Sequence, residues 1–231
     1  MFCGETVSVQ GAGRTDSGVH ALGQVAHLDL KKEWPAEVVR DALNSHLRRL
    51  PVSVLNVSSV QSDFHARFSA TGRSYRYQIV NRRAPLTLDV GRAWWVPQHL
   101  DAEAMTEAAN ILVGTHDFTS FRASECQANS PVRTLDALTV QRLGDIIQVT
   151  ARARSFLHHQ VRNFVGSLTW VGGGKWTPGN IEEVLLSKDR RAGGPTAPAD
   201  GLYLCAVYYE DDRMAHLSAG PTGQGFDEDP E

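Results

Sequence analysis

The sequence predicts an α+β fold in which helices cover one face of an antiparallel sheet, arranged as two similar halves. Three observations predict it. Stretches of two-residue alternation and stretches of helical period are interleaved along the chain. Glycine and proline punctuate them at short intervals. A grouping of strands and helices before about residue 100 is followed by a similar grouping after it. With 231 residues, 42% of them hydrophobic, the chain can bury one large or two small cores.

Taken in order, TVSVQ (6–10) reads as a strand entering a glycine loop. LGQVAHLDL (22–30) reads as its return, since Leu22, Gln24, Ala26, Leu28 and Leu30 alternate with Gly23, Val25, His27 and Asp29. PAEVVRDALNSHL (35–47) reads as a helix with Pro35 in its first turn. VSVLNVSSV (52–60) and RSYRYQIV (73–80) are rich in strand-forming residues, and 81–100 reads as a long connection. Asp101 is suited to cap a helix that Gly114 stops, with Met105, Ala108, Ala109 and Leu112 as its apolar stripe. RTLDALTVQRL (133–143) and IIQVTARA (146–153) flank Gly144-Asp145 as a hairpin. A helix is expected from about Leu157 to Val171, burying Val161, Phe164, Val165 and Leu168 and ending at Gly172 to Gly174. Thr177 and Pro178 open a short helix, and LYLCAVYY (202–209) is a closing strand. The expected division is a first half over 1–100, a second over 101–210, and an acidic tail over 211–231 whose composition reads as disordered.

The net charge of −3 conceals a basic body. Seven acids and one arginine fall from Glu210 onward, so the first 209 residues carry 22 basic against 19 acidic side chains. Residues 64–100 hold six arginines against Asp89, and residues 146–181 hold Arg152, Arg154, Arg162 and Lys175 with no acid. Such stretches suit a phosphate-tracking surface, although a solvated face with ordinary ion pairs would look the same. Cys3, Cys126 and Cys205 are odd in number and far apart, which points to reduced thiols. No apolar run reaches the length of a membrane span, and MFCGETVSVQ lacks the order of a signal peptide, so a cytoplasmic location is expected.

GAGRTDSGVH (11–20) is the most informative stretch. A dinucleotide-binding turn needs glycine where Asp16 stands, and a strand-like run follows where that motif needs a helix. A calcium loop needs more oxygen ligands. What remains is a plain turn or a lone carboxylate held in a glycine-hinged loop. Gly172-Gly173-Gly174-Lys175 fails as a phosphate loop, because positions 169 and 176 are Thr169 and Trp176. His158 and His159 are adjacent rather than one turn apart, so no metal site is expected.

On the expected 157–171 helix, Arg162 lies one turn from His158, beside the apolar stripe. If Arg162 meets Asp16, the pair orients a carboxylate able to act as a nucleophile; a purely structural bridge would have the same spacing. In RSYRY, Tyr75 and Tyr77 share a strand face with Arg73, offering stacking surface beside charge, or aromatic core.

Five segments together resemble the tRNA pseudouridine synthase A family: GAGRTDSGVHALGQVAHLDL, DFHARFSATGRSYRYQIVN, HDFTSFRASECQANSPVRT, ARSFLHHQVRNFVGSL and APADGLYL. The resemblance runs from Val7 to Tyr209, and the R-T-D-x-G-V-H-A element at Arg14 to Ala21 is highly specific. It implies two ferredoxin-like (RRM-like) halves whose sheets form a continuous surface around a central cleft. It implies isomerisation of uridine to pseudouridine at positions 38, 39 and 40 of the tRNA anticodon stem-loop, by a homodimer without cofactor or metal. It also implies Asp16 as nucleophile with Arg162 paired to it, Tyr75 against the target base, and Arg14 holding the nucleotide out of the helix. His20, Arg73 and His158 are further expected substrate contacts. The family's first strand and helix, with their Y-D-G…G-W-Q signature, are missing before Asp16. That departure motivates the alternative of a catalytically silent tRNA-binding protein.

Overall fold

The computed structural model describes residues 3–210; the expectation for the tail at 211–231 lies outside the described residues. Among the described residues, nine strands and four α-helices follow one another as β1 Gln10–Gly11, β2 His20–Ala21, β3 Ala26–His27, α1 Ala36–Leu47, β4 Gly72–Val80, β5 Trp94–Trp95, α2 Ala102–Ile111, β6 Gly114–Asp117, β7 Val132–Leu143, β8 Ile146–Ala153, α3 Gln160–Gly172, α4 Pro178–Ser187 and β9 Leu202–Tyr208. The main sheet has seven strands in the order β2-β9-β4-β8-β7-β6, and β5 takes over beside β4 where β9 ends. The pairings β9-β4-β8-β7-β6 are antiparallel, but β2 joins β9 and β5 joins β4 in parallel. The fold is therefore α+β on a mixed sheet, where a purely antiparallel one was expected.

The core lies on one face. Tyr77 and Ile79 of β4, Leu138 of β7 and Ile147 and Val149 of β8 pack with Met105 of α2, with Leu112 just past its end, and with Phe164 and Leu168 of α3. Alternation sends their neighbours the other way, so Gln78, Gln148 and Gln141 stand side by side in register on the opposite face. A second, smaller cluster gathers Ala12, Ala66, Ala70, Leu204 and Val207 at the β9 edge.

Three sequence expectations need correcting. The run at 52–60 forms no strand: the Asn44 side chain of α1 donates to the Val54 carbonyl and accepts from its N–H, both at 2.8 Å, which occupies the groups a strand partner would use. Val52 and Leu55 of that run stay exposed. The strand expected over 6–10 and its return shrink to the two-residue ladder β1-β3. Helix α3 begins at Gln160, so Leu157, His158 and His159 precede it.

Candidate active site

Asp16 opens a turn closed by a hydrogen bond from the Val19 N–H to its carbonyl (3.0 Å). Gly18, third in that turn, has φ +81°, a value side chains avoid, and a Cβ there would lie 3.2 Å from that of Ala199. The turn is thus seated against the segment leading into β9, and the Asp16 side chain emerges next to the start of α3.

Three nitrogens approach the carboxylate, and of these Arg162 donates a hydrogen bond to it. Arg162 Nη1 lies 3.1 Å from Oδ2, His159 Nε2 3.1 Å from Oδ2, and His158 Nε2 3.2 Å from Oδ1. Arg162 is only 15% exposed against 27% for Asp16. Its Nε donates to the Ala197 carbonyl at 2.7 Å, which fixes the guanidinium's direction. The carbonyl segment can reach it because α3 carries glycine at 166, where a Cβ would fall 1.7 Å from the Pro195 oxygen.

His158 reaches Asp16 from the segment before the helix rather than from one turn along it. Successive residues of a helix point about 100° apart and cannot share one target. Here His159 caps the helix in the left-handed region (φ 61°, ψ 5°), and the chain reversal turns both imidazoles onto the carboxylate. Their rings lie 4.0 Å apart. Sequence reasoning did not single out His159, because nothing in the residue pattern marks a left-handed non-glycine. Burial lowers its pKa, with His158 and Arg162 acting in the same direction and Asp16 and Glu125 against it.

Asp16, His158 and His159 also offer three ligand atoms within 4.8 Å of one another, a spacing a divalent cation can use. The adjacency argument against a metal therefore does not hold, since the two histidines converge. What opposes a cation is the Arg162 guanidinium already on the same carboxylate.

Tyr75 stands edge-on to Phe156, centroids 5.2 Å apart, and its phenol pKa is raised by burial and by the charge of Asp16. Tyr77, its partner in the alternation, is wholly buried and donates to the Pro198 carbonyl at 2.8 Å, so of the two it is core. Arg73 is committed to main-chain carbonyls, donating to Arg154 at 2.6 Å, Arg67 at 2.9 Å and Ala12 at 3.1 Å. His20 makes its contacts elsewhere, stacking on Tyr203 with centroids 4.7 Å apart and bonding the Gly91 carbonyl at 2.9 Å. Arg14 is exposed in the loop that carries Asp16. The structure thus brings together Asp16, Arg162 and His158, adds His159 and sets Tyr75 nearby.

Comparison with known proteins identifies the family. The tRNA pseudouridine synthase family profile matches residues 2–69 and 108–210. The chain is 59% identical over 222 residues to a protein named tRNA pseudouridine synthase A from Paramagnetospirillum magneticum, covering 96% of this chain and 86% of that one. A protein of the same name from Rhodospirillum rubrum is 59% identical over 219 residues, covering 95% and 79%. One from Mesorhizobium japonicum is 58% identical over 210 residues, covering 90% and 85%. With a carboxylate held by an arginine 146 positions away and relatives this similar over nearly all its length, the chain belongs to the tRNA pseudouridine synthase family.

Proposed function

We propose that this chain isomerises uridine to pseudouridine at positions 38, 39 and 40 of the tRNA anticodon stem-loop, with Asp16 as nucleophile. The observation that carries the reading is the Asp16 carboxylate, part-buried and aimed by Arg162 and two histidines. Oδ2 accepts from Arg162 with His159 beside it, whereas Oδ1 has only the half-exposed His158 nearby, so Oδ1 is the freer oxygen to attack. Its target is C1′ of the sugar or C6 of the base. Asp16 bonds to that atom, the N-glycosidic bond breaks, the uracil turns in place, C5 bonds to C1′, the bond to Asp16 breaks to return the carboxylate, and the C5 proton passes to solvent while N1 takes one from it. Nothing is oxidised and no group departs. Burial keeps Tyr75 a phenol at neutral pH, so it serves as a surface for the base better than as a proton acceptor. Extruding the uridine costs a few kcal/mol, which stacking at roughly 1–3 kcal/mol per base and phosphate contacts offset. Arg14, exposed in the Asp16 loop, would hold the extruded nucleotide, and His158, half-exposed beside Oδ1, would meet its sugar.

The wider reading follows the same lines. We read residues 1–100 and 101–210 as two ferredoxin-like halves, the first contributing β2, β4 and β5 and the second β6 to β9 to one sheet. Exposed apolar side chains in the first half, among them Val9, Leu55, Phe68 and Leu88, support a homodimer. No helix among the described residues is long and apolar enough to cross a membrane, in keeping with a cytoplasmic enzyme. The assembled carboxylate favours an enzyme over a silent binder.

Incubating the chain with unmodified tRNA and mapping pseudouridine by nucleotide tests the proposal. Product confined to positions 38–40 is expected; tRNA bound without pseudouridine would support the silent binder instead.

A further inference from the structure

Beside the Asp16 site lies a cavity of about 390 Å³ that the isomerisation chemistry does not use. Its lining includes His159, Arg190, Arg191, Gly193 and Thr196, with the exposed carboxylate of Glu125 among them. His159 belongs to both places, since its Nε2 lies 3.1 Å from Asp16 and the residue lines the cavity. One imidazole therefore stands between the two.

Arg190 is the informative group. Its guanidinium donates to the Gly194 carbonyl at 2.9 Å, to Asn163 Oδ1 at 3.0 Å and to Thr196 Oγ1 at 3.0 Å. Every one of these acceptors is neutral, and Arg190 forms no ion pair with a carboxylate among the described residues. Burial accordingly lowers its pKa with no counter-charge to offset it. The side chain is also rigidly placed. Asn163 is buried, gives its amide N–H to the Phe121 carbonyl at 2.8 Å, and accepts from Thr196 as well as Arg190. A part-buried guanidinium fixed by neutral acceptors on the wall of a cavity is a site prepared for an anion. Arg191 stands at the mouth with its Nε and Nη2 on Asp189, an exposed pair that an incoming anion can compete for. Glu125 is solvated and screened, and opposes the anion weakly. The volume falls within the roughly 300–1,000 Å³ of small-ligand pockets.

We infer that this cavity receives a phosphodiester of the RNA strand next to the uridine held at Asp16. The inference rests on the functional reading above. A uridine engaged by Asp16 carries a phosphodiester on each side, and the cavity begins across a single imidazole from that carboxylate. Arg190 and Arg191 then fix the strand's position while Asp16 acts on the sugar or base.

The test measures equilibrium binding of the full chain to anticodon stem-loops that already carry pseudouridine, so that nothing turns over. In each RNA one phosphodiester near the target is replaced by an uncharged methylphosphonate. With the wild-type chain, one linkage flanking the target should weaken binding about tenfold, the size of a lost charge-assisted hydrogen bond. Arg190→Gln should bind the fully charged RNA about tenfold more weakly, and neutralising that linkage should cost it nothing further. Arg191→Ala removes an exposed side chain, leaves the packing intact, and should shrink the same linkage effect; it carries the test if Arg190→Gln fails to fold. A linkage effect of equal size in wild type and variants, or no sensitive linkage, overturns the inference. So does stabilisation of the wild type but not Arg190→Gln by inorganic phosphate when no linkage responds, since the cavity would then take a free anion. Pseudouridine formation by the wild-type chain is scored separately, so the functional reading stands or falls independently of the binding cycle.

Discussion

His159 shows how one backbone conformation assembles a site. Its left-handed φ of 61° costs roughly 1–2 kcal/mol for a residue bearing a Cβ. In exchange, two sequential imidazoles converge on Asp16. His159→Gly and His159→Ala remove the same side chain and differ in that strain, so the glycine variant should be more stable by about 1 kcal/mol in urea unfolding. Both should form pseudouridine about threefold more slowly, since an imidazole 3.1 Å from the carboxylate is lost. Equal stability of the two would mean the conformation carries no strain. The same residue predicts a pH dependence. Burial holds its pKa below the ordinary 6.5, so the unfolded chain binds the proton more readily. Its contribution is complete above pH 6.5 and is lost as pH falls through the folded value. Thermal melts from pH 7.5 to 5 should show a drop that His159→Ala flattens. Asp16 was legible through the R-T-D element of the family resemblance, since its loop alone left a plain turn open. His159 was not, because adjacent histidines normally diverge.

At the scale of elements, α3 and the segment crossing it position the arginine. Gly166 admits the Pro195 carbonyl, the crossing segment brings Ala197 to Arg162, and Arg162 reaches Asp16. A Cβ at 166 cannot be accommodated without moving that segment. Gly166→Ala should therefore cost about 1–3 kcal/mol of stability and also slow the reaction, although residue 166 touches nothing in the site. Wild-type stability with a wild-type rate would break this chain of support. Helices α1 and α2 and the β7-β8 hairpin were readable from caps, stripes and the Gly144-Asp145 turn, all local signals. The 52–60 run was misread because alternating valines advertise a strand while Asn44 decides otherwise from another element. A tertiary hydrogen bond overrode propensity there.

At the scale of the molecule, the last strand determines the architecture. Strand β9 returns from the C-terminal end of the described chain to lie between β2 and β4, bringing the Asp16 loop and α3 to one place. Spacing along the sequence could propose the Asp16–Arg162 encounter but could not distinguish it from two residues that never meet. The parallel joins of β2 and β5 were equally hidden, being two residues long. If the exposed apolar side chains of the first half mark a subunit contact, light scattering should give a mass about twice the 25.3 kDa of the chain. A monomer at micromolar concentration would contradict the homodimer. The account depends above all on the Asp16 carboxylate as the attacking group. Tritium release from tRNA labelled at C5 of uridine, compared between wild type and Asp16→Asn, tests this most directly. The account predicts release by the wild type and none by the variant, with tRNA affinity changed less than about threefold because phosphate contacts dominate it. Sustained release by Asp16→Asn would contradict it.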